Sequence, residues 1–204
     1  MTAAAKPRAG AASEEFGGVC RFWDPRFQCA GVKIHPGEYY VTGRDELVTT
    51  ILGSCVAACI RDRLLGLGGM NHFLVPARGG GEMRLTDTHY GEEAMEHLIE
   101  AILRRGGQRR NLELKLFGGG RMDASMGSVG QANVAFAVAF AESAGIRLLA
   151  RDVGGEQARK VIYFPRSGRV LVRKLPSTNQ RPVAAADDAY LNSLLLPGGV
   201  AREN

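Results

Sequence analysis

The stretch that decides the fold is ELVTTILGSCVAACIRDRLLGLGGMNHFLVP, residues 46–76. It contains two apolar runs, residues 46–52 and 56–61, which are separated by Gly-Ser-Cys. A third run, residues 66–75, follows the short segment Asp62 to Leu65 and ends before Pro76. Runs of this length, rich in β-branched and apolar residues and bounded by glycine or proline, are typical of strands. The stretch therefore predicts three consecutive strands.

Further strand and helix patterns flank this stretch. An apolar residue recurs every four positions from Tyr90 to Ile102, which predicts a helix, and residues 132–145 predict a second helix. The other predicted strands are residues 38–42, 112–116, 146–153, 160–164 and 169–175. Several strands, a helix, a strand, a helix and more strands predict an α+β fold with a mixed or largely antiparallel sheet arrangement.

The bulk composition limits the class of protein. The chain has 204 residues, 45% of them hydrophobic and 23% charged, with a net charge of +5, which fits one globular domain. Residues 1–18 are small and polar and predict a disordered arm, residues 19–175 the folded domain, and residues 176–204 an irregular tail. We expect a cytoplasmic protein with reduced thiols and no membrane insertion, because no apolar run suits a signal peptide or a membrane span. No nucleic-acid-binding motif accompanies the basic residues, so no nucleic acid partner is expected.

Cys55 is the candidate nucleophile. If residues 62–65 form a hairpin loop, Arg61 faces Gly66 and Cys55 faces His72 on the same side of the sheet. Facing side chains have Cβ atoms about 4.5–5.5 Å apart. An imidazole at that distance can take the proton of the thiol, and the thiolate is the reactive form. The spacing therefore predicts a Cys–His dyad.

The residues around the dyad suggest a binding site but leave alternatives open. Gly53 and Ser54 permit a tight turn whose amides, with that of Cys55, can point at a developing oxyanion. Together with Asn71, beside the histidine, they are the candidate substrate-binding residues. From the residues alone, Cys55 is equally well a buried structural cysteine. A zinc site that adds Cys59 is a further alternative, although no fourth ligand is evident and we expect no metal.

Five motifs match one known family. Between Glu38 and Leu175 the chain carries, in order, TTILGSCVAACIRD, GGMNHFLVP, DTHYGEEAMEHLI, LELKLFGGGRM and KVIYFPRSGRVLVRKL. Together they resemble the CheD family, the bacterial chemoreceptor glutamine deamidases. The fold that this resemblance implies is a layered sandwich of sheets flanked by helices, similar to the catalytic domain of cytotoxic necrotizing toxins.

The resemblance also implies a Cys–His–Thr catalytic site. Cys55 matches the nucleophile, His72 the base and Thr49 the third member, although the residues alone do not separate Thr49 from the adjacent Thr50. The implied reaction converts selected glutamines in the cytoplasmic helices of methyl-accepting chemotaxis receptors to glutamate. It proceeds through a thioester and uses no cofactor. A CheC-type chemotaxis phosphatase is a further implied partner.

Other functions remain compatible with the same residues. A cysteine peptidase and a transglutaminase-like acyltransferase use the same dyad. A non-catalytic module that regulates a CheC-type phosphatase is the non-enzymatic alternative. The intact set of Thr49, Cys55 and His72 favours the enzyme.

Overall fold

The computed structural model describes residues 19–75, 89–122, 129–176 and 180–195. The strands in these ranges are β1 (Cys20–Asp24), β2 (Cys29–Lys33), β3 (Tyr39–Thr42), β4 (Glu46–Leu52), β5 (Val56–Asp62), β6 (Leu67–Asn71), β7 (Leu112–Gly118), β8 (Arg147–Val153), β9 (Arg159–Phe164) and β10 (Arg169–Lys174). The helices are α1 (His89–Arg104), α2 (Val129–Ser143) and α3 (Gln180–Leu195). The predicted N-terminal arm, residues 1–18, lies outside the described residues.

The strands form two five-stranded sheets. The first has the order β1-β2-β4-β9-β10 and the second the order β3-β6-β5-β7-β8. Most neighbouring strands are antiparallel, but β2 runs parallel to β4 and β7 runs parallel to β8. The predicted α+β class and the mixed sheets are therefore confirmed. Sequence reasoning did not identify β1 and β2.

One hydrophobic core includes side chains of both sheets. Val48 and Val161 of the first sheet and Leu116 of the second are fully buried in it. Strand β5 is buried at every position except Arg61, as a strand covered on both faces should be. Helices α1 and α2 contact strands of the second sheet. The likeness to the toxin catalytic domain stays a prediction.

The chain crosses from one sheet to the other at the start of the Gly-Ser-Cys segment. Strand β4 belongs to the first sheet and β5 to the second, and residues 53–55 connect them. Because this connection is so short, Cys55 is held at the junction of the two sheets.

The β5–β6 hairpin has a different register from the predicted one. Arg61 pairs with Gly68, not with Gly66. The carboxylate of Asp62 accepts the N–H of Leu64 at 2.9 Å, so Asp62 ends the strand instead of opening the loop. Gly66 closes the loop with a φ of 63°, in the left-handed region that glycine tolerates.

This change of register keeps the predicted dyad on one face. The loop is residues 63–66, one position later than predicted, and Val56 bridges to Phe73 beyond the ladder. The pairing moves by two positions, and side chains alternate between faces with a period of two. Cys55 and His72 therefore share a face as diagonal neighbours and are not directly opposite each other.

The predicted irregular tail contains a helix. Residues 180–195 form α3, whereas the sequence interpretation left residues 176–204 without regular structure. Of the α3 side chains that the structure describes, Asp187 alone is buried. No helix among the described residues is long and apolar enough to cross a membrane.

Candidate active site

Cys55 lies at the centre of a buried polar cluster. Its side chain has no exposure to solvent, and His72 is only 2% exposed. The Cys55 Sγ, a ring nitrogen of His72 and a carboxylate oxygen of Asp187 all lie within 4.8 Å of one another. The structure therefore brings the predicted dyad together and adds an acidic group from α3.

Thr50 determines which nitrogen of His72 carries the hydrogen. The Thr50 hydroxyl lies 2.8 Å from His72 Nδ1 and 2.8 Å from the carbonyl oxygen of Ile34. A carbonyl can only accept, so the single hydroxyl hydrogen of Thr50 is donated to Ile34. The ring must then donate its Nδ1–H to Thr50, which leaves Nε2 with a lone pair. Nε2 is buried and has no hydrogen-bond partner among the described residues.

Thr49 does not contact His72, contrary to the prediction. Its hydroxyl donates to the carbonyl of Val161 in β9 at 2.7 Å. Adjacent residues of a strand point to opposite faces, so only one of the two threonines can reach the imidazole. That residue is Thr50.

The turn before Cys55 binds a carboxylate. The Ser54 N–H and hydroxyl donate to Asp187 Oδ2 at 2.6 and 2.8 Å, and the Cys55 N–H lies 3.4 Å from the same oxygen. The Cys55 thiol donates to Asp187 Oδ1 at 3.3 Å. Gly53 has no side chain at this point, and a Cβ there would lie 2.6 Å from Asp187 Oδ2. Two of the three predicted oxyanion donors, the N–H groups of Ser54 and Cys55, thus converge on a carboxylate oxygen.

Burial keeps the dyad uncharged while Asp187 is bound. It raises the pKa of the Cys55 thiol well above its usual range, and the charge and hydrogen bond of Asp187 raise it further. Burial lowers the pKa of His72 to about 3, with a contribution from the charge on His35. The pKa of Asp187 is itself raised by burial, against hydrogen bonds from Ser54 that lower it. The arrangement with Asp187 in place therefore holds a thiol and a neutral imidazole.

Two further elements hold the Gly-Ser-Cys turn in place. The carbonyls of Gly53 and Cys55 each accept a backbone N–H at 2.7 Å, from Gly120 and Gly119 respectively. A Cβ on Gly118 would lie 2.2 Å from the carbonyl oxygen of Cys55, so this approach requires glycine. Sequence reasoning did not identify this role of the glycines.

Helix α2 contributes an asparagine to the same turn. Asn133 is fully buried, and its Nδ2 donates to the carbonyl of Ser54 at 2.8 Å. Its Oδ1 accepts the N–H of Val75 at 2.7 Å. The turn is thus fixed from β7 and from α2 at once.

The structure places Asn71 away from the dyad. Its side chain accepts the N–H of Ala58 at 2.9 Å and donates to the carbonyl of Ala94 in α1 at 2.9 Å. Asn71 and His72 are adjacent, so they point to opposite faces of the strand. Asn71 links the sheet to α1 and does not fit a role in binding substrate, whereas Gly53 and Ser54 do lie at the site.

The cluster has the ligand types of a metal site but different surroundings. Cys55, His72 and Asp187 offer sulfur, nitrogen and oxygen, and the structure groups Asp187, not Cys59, with the dyad. However, the Asp187 carboxylate faces the N–H and hydroxyl donors of Ser54. Such donors favour an anion over a cation, so the geometry is that of an oxyanion site.

Asp187 was missed because it lies in the part of the sequence that was read as irregular. A signal was present: Val183, Tyr190, Leu191 and Leu194 are spaced as one helical stripe around it. All four are partly buried in the structure. The short, alanine-rich context did not by itself indicate that this stripe docks at the cysteine.

Comparisons with known proteins identify the family of this chain. The model of the family described as CheD chemotactic sensory transduction matches residues 74–174. The chain is 49% identical over 185 residues to a protein of Halorhodospira halophila, covering 88% of this chain and 86% of that protein. It is 42% identical over 202 residues to a protein of Saccharophagus degradans, covering 95% and 93% of the two chains. Both relatives are named "Probable chemoreceptor glutamine deamidase CheD". With this identity over most of its length, the chain belongs to the CheD family.

Proposed function

We propose that this protein hydrolyses the side-chain amides of glutamine residues in methyl-accepting chemotaxis receptors, giving glutamate and ammonia. The observation that carries the proposal is the buried dyad of Cys55 and His72 beside backbone donors that bind a carboxylate. The names of the relatives supply the substrate class. The site of action would be the cytoplasmic helices of the receptors. A CheC-type phosphatase partner stays a prediction.

The first half of the reaction forms a thioester. His72 Nε2 takes the proton of the Cys55 thiol, and Sγ attacks the carbon of the amide. The N–H groups of Ser54 and Cys55 stabilise the negative oxygen of the tetrahedral intermediate. The intermediate breaks its C–N bond, and the proton on His72 passes to the departing ammonia.

The second half restores the enzyme. His72 Nε2 takes a proton from water, whose oxygen attacks the thioester carbon. The C–S bond breaks, the Cys55 thiolate recovers the proton from His72, and the product leaves as a carboxylic acid that loses its proton to water. Thr50 acts throughout as a positioning residue, because it keeps the hydrogen on Nδ1 and the lone pair on Nε2.

The test is conversion of receptor fragments by the purified full chain. We expect glutamine-to-glutamate conversion, followed by peptide mass spectrometry, to fall below detection in Cys55→Ala. Cys59→Ala is the matched control, because Cys59 is a core residue of β5 and should tolerate alanine with activity retained. Conversion by Cys55→Ala at the wild-type rate would refute the nucleophile. Backbone cleavage, or incorporation of an added primary amine, would instead identify a peptidase or an acyltransferase.

A further inference from the structure

The proposed reaction does not explain why α3 occupies the site. The amides of Ser54 and Cys55 must be available to the substrate, yet both point at Asp187. Asp187 is 2% exposed, on a helix whose other described side chains are at least partly exposed. Burying a carboxylate is costly unless several donors compensate, so this contact is a specific one.

The carboxylate of Asp187 has the position expected of a reaction product. One oxygen lies at the backbone donors, where the oxyanion forms, and the other lies 3.3 Å from the Cys55 sulfur. Hydrolysis of a side-chain amide leaves a carboxylate with its carbon next to the nucleophile and one oxygen at those donors. Asp187 therefore reproduces the product, on a side chain one methylene shorter than glutamate.

The Asp187 side chain that occupies the site belongs to a helix. Val183, Asp187 and Tyr190 lie on one face of α3, at the i, i+4 and i+7 positions. A Cβ on Gly53 would lie 3.1 Å from Val183 Cγ1, and one on Gly37 would lie 2.8 Å from the hydroxyl oxygen of Tyr190. Two glycines thus leave space for a helix on either side of the nucleophile.

We propose that α3 is a displaceable, intramolecular product mimic, and that substrate helices reach Cys55 by taking its place. The amide of the target glutamine then occupies the position of the Asp187 carboxylate, and the residues one helical turn before and after it lie over Gly53 and Gly37. This inference rests on the proposed function for the identity of the substrate. The occupancy of the site by α3 does not depend on that function.

The contacts of α3 suit a reversible occupant. Its apolar contact residues, Val183, Tyr190, Leu191 and Leu194, are partly buried, and unlike the core side chains each keeps part of its surface in water. If only a fraction of the protein molecules can bind substrate, the apparent dissociation constant equals the intrinsic constant divided by that fraction. Docked α3 therefore raises the apparent KM and shields the thiol.

The first test measures the accessibility of the thiol in the full chain. Each cysteine is followed by peptide mass spectrometry during alkylation with iodoacetamide. We expect Asp187→Ala to increase the rate at Cys55 at least tenfold. Asp188→Ala removes the same charge from the neighbouring position and should leave the rate within twofold of wild type. Cys59, buried in β5, must stay protected in all variants, which verifies folding.

The second test measures competition with substrate. In conversion of receptor fragments, Asp187→Ala should lower KM severalfold with kcat retained, because an internal competitor has been weakened. A purely structural role of Asp187 would instead lower kcat. Tyr190→Ala loosens α3 without touching the donors and should change KM in the same direction.

The outcomes separate the two proposals. An alkylation rate at Cys55 that Asp187→Ala leaves within twofold of wild type, with Cys59 protected, overturns the product mimic. If Asp187→Ala speeds alkylation of Cys55 but raises KM or lowers kcat, the proposal that substrate helices bind in the place of α3 is overturned. Faster alkylation without conversion of any receptor fragment by any variant refutes the proposed function, while the occupancy of the site by α3 stands.

Discussion

At the scale of single residues, the site depends on one hydroxyl hydrogen. The Thr50 hydroxyl has one hydrogen and two hydrogen-bond partners, and one of these, the carbonyl of Ile34, cannot donate. The hydrogen-bond directions therefore fix the tautomer of His72 through a neutral hydroxyl. A neutral orienting residue suits a buried imidazole, because a second buried charge would need its own compensation.

This role of Thr50 gives a prediction with a neighbouring control. Thr50→Val removes the acceptor for Nδ1–H and should lower kcat/KM for receptor fragments roughly tenfold or more, which is about 1.4 kcal/mol of transition-state stabilisation. Thr50→Ser keeps the hydroxyl and should recover most of that loss. Thr49→Val removes a bond to Val161 and should cost about 1 kcal/mol of stability with kcat/KM retained. Equal kcat/KM losses in both valine variants would contradict the assignment.

The choice between the two threonines shows where sequence reasoning ends. Alternation of apolar and polar residues normally identifies the buried face of a strand. Strand β4 is buried at every position from Glu46 to Thr50, so neither face carries a distinguishing pattern. The proximity of Cys55 and His72 was easier to predict, because an error of two positions in the hairpin register leaves both side chains on the same face of the sheet. An error of one position would have separated them.

At the scale of elements, a glycine turn after β7 holds the nucleophile turn in place. Gly118 has a φ of 107° and lies against the carbonyl of Cys55. Its neighbours Gly119 and Gly120 donate to the same turn. Cys55 is therefore positioned in part by backbone contacts from another part of the chain, which no local pattern in the sequence encodes.

A pair of alanine substitutions tests this positioning role. Gly118→Ala should lower kcat markedly, because the new Cβ clashes with the carbonyl oxygen of Cys55. The clash shifts the turn that carries both the thiol and the oxyanion donors. Gly106 has a comparable φ of 98° but no atom within 4 Å of a Cβ, so Gly106→Ala carries the strain without the clash. Both variants should lose about 1–2 kcal/mol of unfolding free energy to the left-handed backbone. If Gly118→Ala retains the wild-type kcat for receptor fragments, the glycine turn does not position Cys55 for the reaction.

Helix α3 illustrates a different limit of sequence reasoning. All strands except β1 and β2, and the first two helices, were predicted because their segments show the patterns of a buried stripe or face. Helix α3 docks with a short stripe of partly buried apolar residues around one buried carboxylate, and that polar residue interrupts the hydrophobic pattern of the stripe. The missed helix is thus the one whose buried contact residue is a carboxylate at the site.

At the scale of the whole molecule, the site lies where the two sheets meet. His72 follows β6 of the second sheet, and its partner Thr50 lies in β4 of the first. The hydrogen bond between Thr50 and His72 therefore also joins the sheets, and the protonation state of His72 affects the stability of the whole fold.

The resulting prediction concerns the pH dependence of stability. The pKa of His72 is lowered to about 3 in the folded protein from 6.5. A lowered pKa contributes stability above the unfolded value, and this contribution is lost as the pH falls from 6.5 toward 3. Between pH 7 and 5, wild type should lose about 2 kcal/mol more unfolding free energy than His72→Gln, measured by urea denaturation. His97→Gln, an exposed position on α1, should follow wild type. A pH dependence that is the same in His72→Gln and wild type would mean that the folded protein accepts the proton at His72, and that the imidazole is not sealed between the sheets.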